Sequence, residues 1–115
     1  MKATIYHNPR CSKSRETLAL PEQAGADITI VEYLKTPPNE AALKSILKKL
    51  KLRPEQLIRK NEDLYDELIA GKNLNDAQLI AVMVDNPILI ERPIVVVGNR
   101  AAIGRPPENV LSLLK

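Results

Sequence analysis

The junction that decides the fold is ATIYHNPRCSKSRE, residues 3–16. Residues 3–6 form a β-favouring run, and Pro9 ends it because proline has no N–H to give to a sheet ladder. Cys11 follows directly, at the point where a helix is predicted to start. The stretch therefore predicts a strand, a tight connection and a helix that begins beside the single cysteine.

The first predicted helix runs from this junction toward Gly25. Ser12 and Ser14 are both of the residue type that caps a helix N-terminus. Pro21 lies inside the predicted helix and is expected to kink or shorten it, because its ring clashes with the preceding turn and it lacks an N–H.

A second strand is predicted at residues 28–31, continuing into residues 32–34, because apolar and β-branched residues follow each other there. A helical insertion is predicted from about residue 39 to residue 86. Asn39 is placed to cap its first helix, and Asn75 with Gln78 three residues later resembles a capping box.

The C-terminal part predicts two more strands and a last helix. Residues 94–97 are fully apolar, as in a central strand, and the Gly98-Asn99 turn leads into a partner strand. The closing helix is expected to place Val110, Leu111 and Leu114 on one side. The predicted fold is α/β, in the order β-α-β, helical insertion, β-β-α, as one domain over residues 1–115.

Composition excludes several functional classes. The formal charge of +3 is mild and spread along the chain, and three tyrosines are the only aromatic residues, so neither a nucleic-acid surface nor a base-stacking platform is indicated. A single cysteine rules out an intramolecular disulfide. No run approaches the ~18 apolar residues of a membrane helix, and no signal peptide is evident. The sequence predicts a cytoplasmic protein without nucleic-acid or membrane partners.

Cys11 is the first candidate for chemistry. Unpaired backbone N–H groups and the helix macrodipole stabilise a thiolate at a helix N-terminus. Arg10, Lys13 and Arg15 lie within four residues and add positive charge. An inert buried cysteine is the alternative, but its neighbours would then be apolar. The pattern indicates a reactive thiol.

Four segments resemble the glutaredoxin-coupled arsenate reductase family. They are HNPRCSKSR at residues 7–15, LIRKN at residues 57–61, PILIERPIVV at residues 87–96 and GRP at residues 104–106. They keep the family's order and nearly its spacing over most of the chain. The resemblance implies a thioredoxin-like fold with a helical insertion and a mixed four-stranded sheet.

The resemblance also implies a set of site residues. The family's nucleophile, which attacks the arsenic of arsenate, matches Cys11. The family's three oxyanion-binding arginines match Arg59, Arg92 and Arg105. Arginine suits this role because its planar fork of donors matches a tetrahedral oxyanion and stays charged at any working pH.

Supporting roles follow from the same match. The bond before Pro93 is expected to be cis, as in thioredoxin-like folds. His7 is expected to lie near Cys11 and either, when protonated, to add a cation beside it or, as a partly exposed residue, to order the loop through hydrogen bonds. Ser14 and Asn8 are expected either to donate hydrogen bonds toward the thiolate or to order the loop and cap the helix.

The single cysteine implies an external reductant. After Cys11 forms its adduct, no second thiol of the chain is available, and in the family glutathione and then glutaredoxin complete the reaction. No tightly bound cofactor is expected, with glutathione as co-substrate. One Cys and one His do not fill a zinc shell, so no metal site is expected.

Two alternatives remain open from the sequence. The same site would also suit glutathione-dependent thiol chemistry on a substrate other than arsenate. A non-catalytic regulator related to the Spx-type proteins that bind RNA polymerase is the other alternative. Those regulators carry a C-x-x-C switch, whereas this chain has Cys11 and Ser14 at the two positions.

Overall fold

The structure is a computed structural model that describes residues 1–114. Within these residues the chain forms two compact units. The first contains Met1–Thr36 and the chain from Arg92 onward, and the second contains Pro37–Glu91. The predicted single domain stays a prediction, and its last residue, Lys115, lies outside the described residues.

A mixed four-stranded sheet forms the first unit, as predicted. Its strands are β1 (Lys2–His7), β2 (Asp27–Glu32), β3 (Ile94–Val97) and β4 (Arg100–Ile103), in the spatial order β2-β1-β3-β4. β1 pairs parallel with β2, and β3 pairs antiparallel with both β1 and β4. Parallel neighbours need a crossover, which helix α1 (Ser12–Gln23) supplies, whereas a tight turn at Gly98 joins β3 to β4. Gly98 has φ +61°, a conformation that favours glycine.

Helix α1 continues through Pro21, so the expected shortening is slight. Pro21 lies in the last turn, two residues before the helix ends at Gln23, and its ring is fully buried. The carbonyl of Pro21 still accepts a hydrogen bond from the N–H of Ala26. Pro21 removes the hydrogen bond that its N–H would give to the carbonyl of Thr17, and burial of its ring offsets this loss.

The first unit has an aliphatic core. Ile5, Val95, Val110 and Leu113 are buried together between the sheet and the last segment of the chain. That segment, Pro107–Leu114, is a 3₁₀ helix and not the expected α-helix. With three residues per turn, Pro107, Val110 and Leu113 share the buried side, whereas Leu111 is 44% exposed. The expected face of Val110, Leu111 and Leu114 is therefore wrong.

The second unit is helical. It contains α2 (Glu40–Leu50), α3 (Pro54–Leu57), α4 (Asp63–Leu68), α5 (Asp76–Asp85) and a short 3₁₀ turn at Pro87–Leu89. Asn39 caps α2 by accepting a hydrogen bond from the N–H of Ala42, and Asn75 and Gln78 form a reciprocal capping box on α5. Both predicted caps are confirmed. None of the helices among residues 1–114 is long and apolar enough to cross a membrane.

Candidate active site

Cys11 occupies the N-cap position of α1, in an extended conformation. Its N–H donates to the carbonyl of Asn8 at 3.0 Å, and its carbonyl accepts from the N–H of Arg15 at 3.1 Å. The expectation that a serine caps this helix is wrong, because Cys11 itself is the cap residue and its side chain makes no capping hydrogen bond. The thiol is half-buried and lies at the positive end of the helix macrodipole.

Arg105 contacts this thiol directly. Its Nη2 lies 3.4 Å from Sγ of Cys11, and its Nε donates to the carbonyl oxygen of Arg92 at 2.6 Å. The guanidinium therefore bridges a backbone carbonyl and the sulfur with two different nitrogens. This geometry fixes a positive charge beside the position where a thiolate would form.

The Arg92-Pro93 peptide bond is cis, as the resemblance implied. Pro93 is fully buried, and its carbonyl accepts from the N–H of Gly104 at 2.9 Å. The carbonyl of Arg92 is the one that anchors Arg105. A second cis bond, Arg105-Pro106, was not predicted. Each cis proline directly follows an arginine that was predicted for the site, Arg92 or Arg105.

His7, Asn8 and Ser14 form a hydrogen-bonded cluster in the loop that leads to the thiol. The Ser14 hydroxyl is fully buried, accepts from the N–H of Asn8 at 3.0 Å and shares a proton with Nδ1 of His7 at 2.9 Å. The Asn8 Oδ1 accepts from the N–H of Arg10 at 3.1 Å. These contacts order the loop, which is the second of the two roles expected for Ser14 and Asn8.

Burial lowers the pKa of His7 below its ordinary value. Glu32, its partner on the neighbouring strand, opposes this effect, and the positive charge of Arg15 adds to it. The lowered pKa favours neutral imidazole. The expectation that protonated His7 supplies a further cation is therefore not supported, and its hydrogen bond to Ser14 becomes its main contribution.

Arg59 belongs to the helical unit. Its side chain is 11% exposed and lies between two carboxylates, with Nε 3.4 Å from Glu62 and Nη1 3.8 Å from Glu91. Backbone hydrogen bonds from Arg59 to Leu89 and from Glu91 to Leu57 hold the two chain segments side by side. Among the described residues neither Nε nor Nη1 has an acceptor in good hydrogen-bond geometry, so charge rather than directed bonding orients this guanidinium.

Sequence reasoning missed the groups that hold the arginines in place. Glu62 follows Arg59 by three residues, so this ion pair had a local signal in the sequence. Glu91 and the Arg92 carbonyl that anchors Arg105 had none, because they are distant from their partners along the chain. Among residues 1–114 no cluster of three or more His, Cys, Asp or Glu side chains is positioned to hold a metal.

The thiol at the start of α1 lies beside an arginine, and a buried cis-proline precedes β3 of the mixed four-stranded sheet. Together these features define a thioredoxin-like α/β protein with a candidate thiol site. A family model described as the ArsC family matches residues 6–113. The chain belongs to the ArsC family, which confirms the family that the sequence segments predicted.

Similar proteins cover nearly the same length. The protein YfgD of Escherichia coli K12 is 53% identical over 112 residues, which are 96% of this chain and 94% of YfgD. An arsenate reductase of Neisseria meningitidis (strain MC58) is 46% identical over 112 residues, 96% of each chain. The structure of an arsenate reductase from Vibrio cholerae superposes with a TM-score of 0.94, at 47% identity over 98% of both chains. These likenesses confirm the predicted fold class.

Proposed function

We propose that this chain is a cytoplasmic arsenate reductase that uses Cys11 as its nucleophile and glutathione with glutaredoxin as its reductants. The observation that carries the proposal is the 3.4 Å contact between the Arg105 guanidinium and the Cys11 sulfur at the N-terminus of α1. A fixed cation beside a nucleophilic sulfur serves a reaction in which thiolate and oxyanion would otherwise repel each other. Membership of the ArsC family, with relatives named arsenate reductases, supports the choice of oxyanion.

In the proposed first step the Cys11 thiolate attacks the arsenic of dihydrogen arsenate. A sulfur–arsenic bond forms, one arsenic–oxygen bond breaks, and the departing hydroxide takes up a proton and leaves as water. The adduct is a thiol ester of arsenic(V), and no electron has yet changed hands. Because negative charge gathers on the remaining oxygens, an arginine at the sulfur stabilises the transition state.

In the proposed second step a glutathione thiolate attacks the Cys11 sulfur. The sulfur–arsenic bond breaks, its electron pair stays on arsenic, and arsenic(III) leaves as arsenite after taking up protons. The chain is left as a mixed disulfide of Cys11 and glutathione. A glutaredoxin thiolate then attacks the glutathione sulfur and releases the Cys11 thiolate. Two thiols thus supply the two electrons, and no tightly bound cofactor is needed.

In this proposal the three arginines have different roles in binding the oxyanion and the thiolate. Arg105 contacts the sulfur directly and is positioned to follow the charge from thiolate to adduct. Arg92 shares the same end of the sheet through its carbonyl contact with Arg105. Arg59 is assigned to the oxyanion from the family match alone. Its two neighbouring carboxylates orient the guanidinium, as the groups around a binding arginine commonly do.

The test is arsenite production with arsenate, glutathione and glutaredoxin, comparing the wild-type chain with Cys11→Ser. Ser12→Ala is the matched control, because Ser12 is the exposed neighbour of the nucleophile. We expect turnover to vanish in Cys11→Ser and to persist in Ser12→Ala. Arsenite formation by Cys11→Ser would refute the nucleophile.

The same proteins test the choice of arsenate as substrate separately from the thiol chemistry of Cys11. If the wild-type chain forms no arsenite but Cys11 still reduces a glutathione mixed disulfide, the arsenate assignment is wrong and a general glutathione-dependent thiol oxidoreductase is indicated. Loss of both activities in the wild-type chain would contradict thiol catalysis altogether.

A further inference from the structure

Thr17 is a buried polar residue that the proposed mechanism does not use. It lies in the second turn of α1 and is fully buried. Its single hydroxyl hydrogen is shared between the carbonyl of Lys13 at 2.7 Å and the carbonyl of Gly104 at 3.2 Å. Thr17 follows Cys11 by six residues, which is roughly 9 Å along a helix. The helix that carries the thiol is therefore in contact with Gly104.

Gly104 is closely packed on both sides. A methyl group at its α-carbon would clash first with Oγ1 of Thr17, and it would also lie 2.6 Å from Cγ2 of Thr17 and 2.9 Å from Cγ of Pro93, all far inside van der Waals contact. Its backbone is not in the left-handed region, unlike that of Gly25, Gly71 and Gly98, so the neighbours and not φ exclude a side chain here. Gly104 allows α1 and the cis-proline segment to approach each other.

This close approach lies next to Arg105, the residue that contacts the thiol. We infer that Thr17 and Gly104 are positioning residues that set the distance between the Arg105 guanidinium and the Cys11 sulfur. The inference rests on the proposed pairing of Arg105 with Cys11. Thr17 fixes the helix that begins at the thiol, and Gly104 fixes the backbone from which Arg105 extends.

The size of the effect follows from the contact distances. Ordinary van der Waals contact begins near 3.4 Å, so a methyl group 2.6 Å from Thr17 Cγ2, and closer still to its Oγ1, forces the segments apart by about 0.8 Å or more. A displacement of that size takes the 3.4 Å contact between Arg105 and Cys11 beyond hydrogen-bond range. The shape of the Thr17 side chain matters more here than its hydroxyl group. The hydroxyl hydrogen bonds more closely to the carbonyl of Lys13, at 2.7 Å, than to the carbonyl of Gly104, at 3.2 Å.

The test is a double-mutant cycle read out by alkylation of Cys11 with iodoacetamide at pH 7, which labels one site because the chain has one cysteine. Removing the positive charge 3.4 Å from the reacting sulfur, in Arg105→Gln, is expected to slow alkylation about threefold. Gly104→Ala is expected to slow alkylation by a similar factor. In the Gly104→Ala background, Arg105→Gln is expected to have no further effect.

Three further variants separate positioning from general stability. Thr17→Val keeps the shape of Thr17 and is expected to leave the threefold Arg105 effect intact. Thr17→Ala combined with Gly104→Ala removes the closest clash and is expected to restore part of the effect. Gly98→Ala strains the β3–β4 turn without touching Thr17, so it is expected to lower the melting temperature and leave the Arg105 effect unchanged.

If Gly104→Ala does not fold, Thr17→Ile applies the same wedge from the helix side, with Thr17→Val as its matched control. The inference is overturned if Arg105→Gln slows alkylation equally in the wild-type and wedged proteins while circular dichroism shows both folded. If Arg105→Gln has no effect even in the wild-type chain, the proposed pairing of Arg105 and Cys11 is the part that fails. Alkylation requires no arsenate, so neither result depends on the substrate.

Discussion

Replacing Arg105 with lysine tests the proposed site most sharply, because the charge stays and only the fork is lost. Arg105 uses Nε for the Arg92 carbonyl at 2.6 Å and Nη2 for the Cys11 sulfur at 3.4 Å. A lysine has one nitrogen and cannot bridge both groups. Arg105→Lys therefore loses either the anchor or the contact to sulfur.

The magnitude follows from the contact that is lost. A hydrogen bond to a charged group contributes about 1.5–3 kcal/mol, and the lower end applies because Arg105 is only half-buried. A loss of about 1.4 kcal/mol corresponds to about a tenfold fall in kcat/KM for arsenate. Arg105→Gln loses the charge as well, and we expect a fall of roughly 100-fold on the same scale.

The assay is steady-state arsenite formation with glutathione and glutaredoxin at saturating levels and with varied arsenate. Arg53→Lys is the matched control, because Arg53 is an exposed arginine in the helical unit, 4.0 Å from Asp76. We expect this control to stay within about twofold of the wild-type chain, as is usual for exposed ion pairs. An Arg105→Lys variant within twofold of wild type would refute the bridging role of the guanidinium.

The other predictions concern pH, a helix cap and the remaining site residues. Because burial lowers the pKa of His7, the unfolded chain binds a proton near pH 6.5 that the folded chain does not; stability should fall below about pH 6.5, and less steeply in His7→Gln, as measured by urea midpoints. Equal slopes in both proteins would contradict this. Asn75→Ala should lower the free energy of unfolding by about 1 kcal/mol, and an unchanged urea midpoint would exclude the capping box as a source of stability. Arg59→Ala should strongly reduce kcat/KM for arsenate while the circular dichroism spectrum is kept; full activity would remove Arg59 from the site. Without an external thiol, Cys11 should support no multiple turnover of arsenate, and sustained arsenite release would show a different route of reduction.

Much of the fold followed from local pattern. The strands were predictable because their apolar runs are bounded by proline, glycine and asparagine, and the caps at Asn39 and Asn75 because capping depends on neighbours three residues away. The closing segment was mispredicted as an α-helix, since a spacing of three residues fits a 3₁₀ helix and only packing against the sheet chose it.

The candidate site was predictable in residue identity and not in contact. Cys11 was singled out by its place between strand and helix, and the arginines by segments that resemble a family. The role of Ser14 was left open, because a hydroxyl three residues from a thiol has more than one possible partner. In the structure the Ser14 hydroxyl forms hydrogen bonds with His7 and Asn8.

The sequence by itself determined the order of strands and helices and the single thiol at the start of α1. These depend on residue type and on spacing along the chain. Only the tertiary structure decided that Arg105 contacts the Cys11 sulfur, that Arg59 lies between two carboxylates, and that Thr17 packs on Gly104. The contact from Thr17 to Gly104 spans 87 residues and the one from Cys11 to Arg105 spans 94, and distances across such separations are fixed by packing and not by sequence pattern.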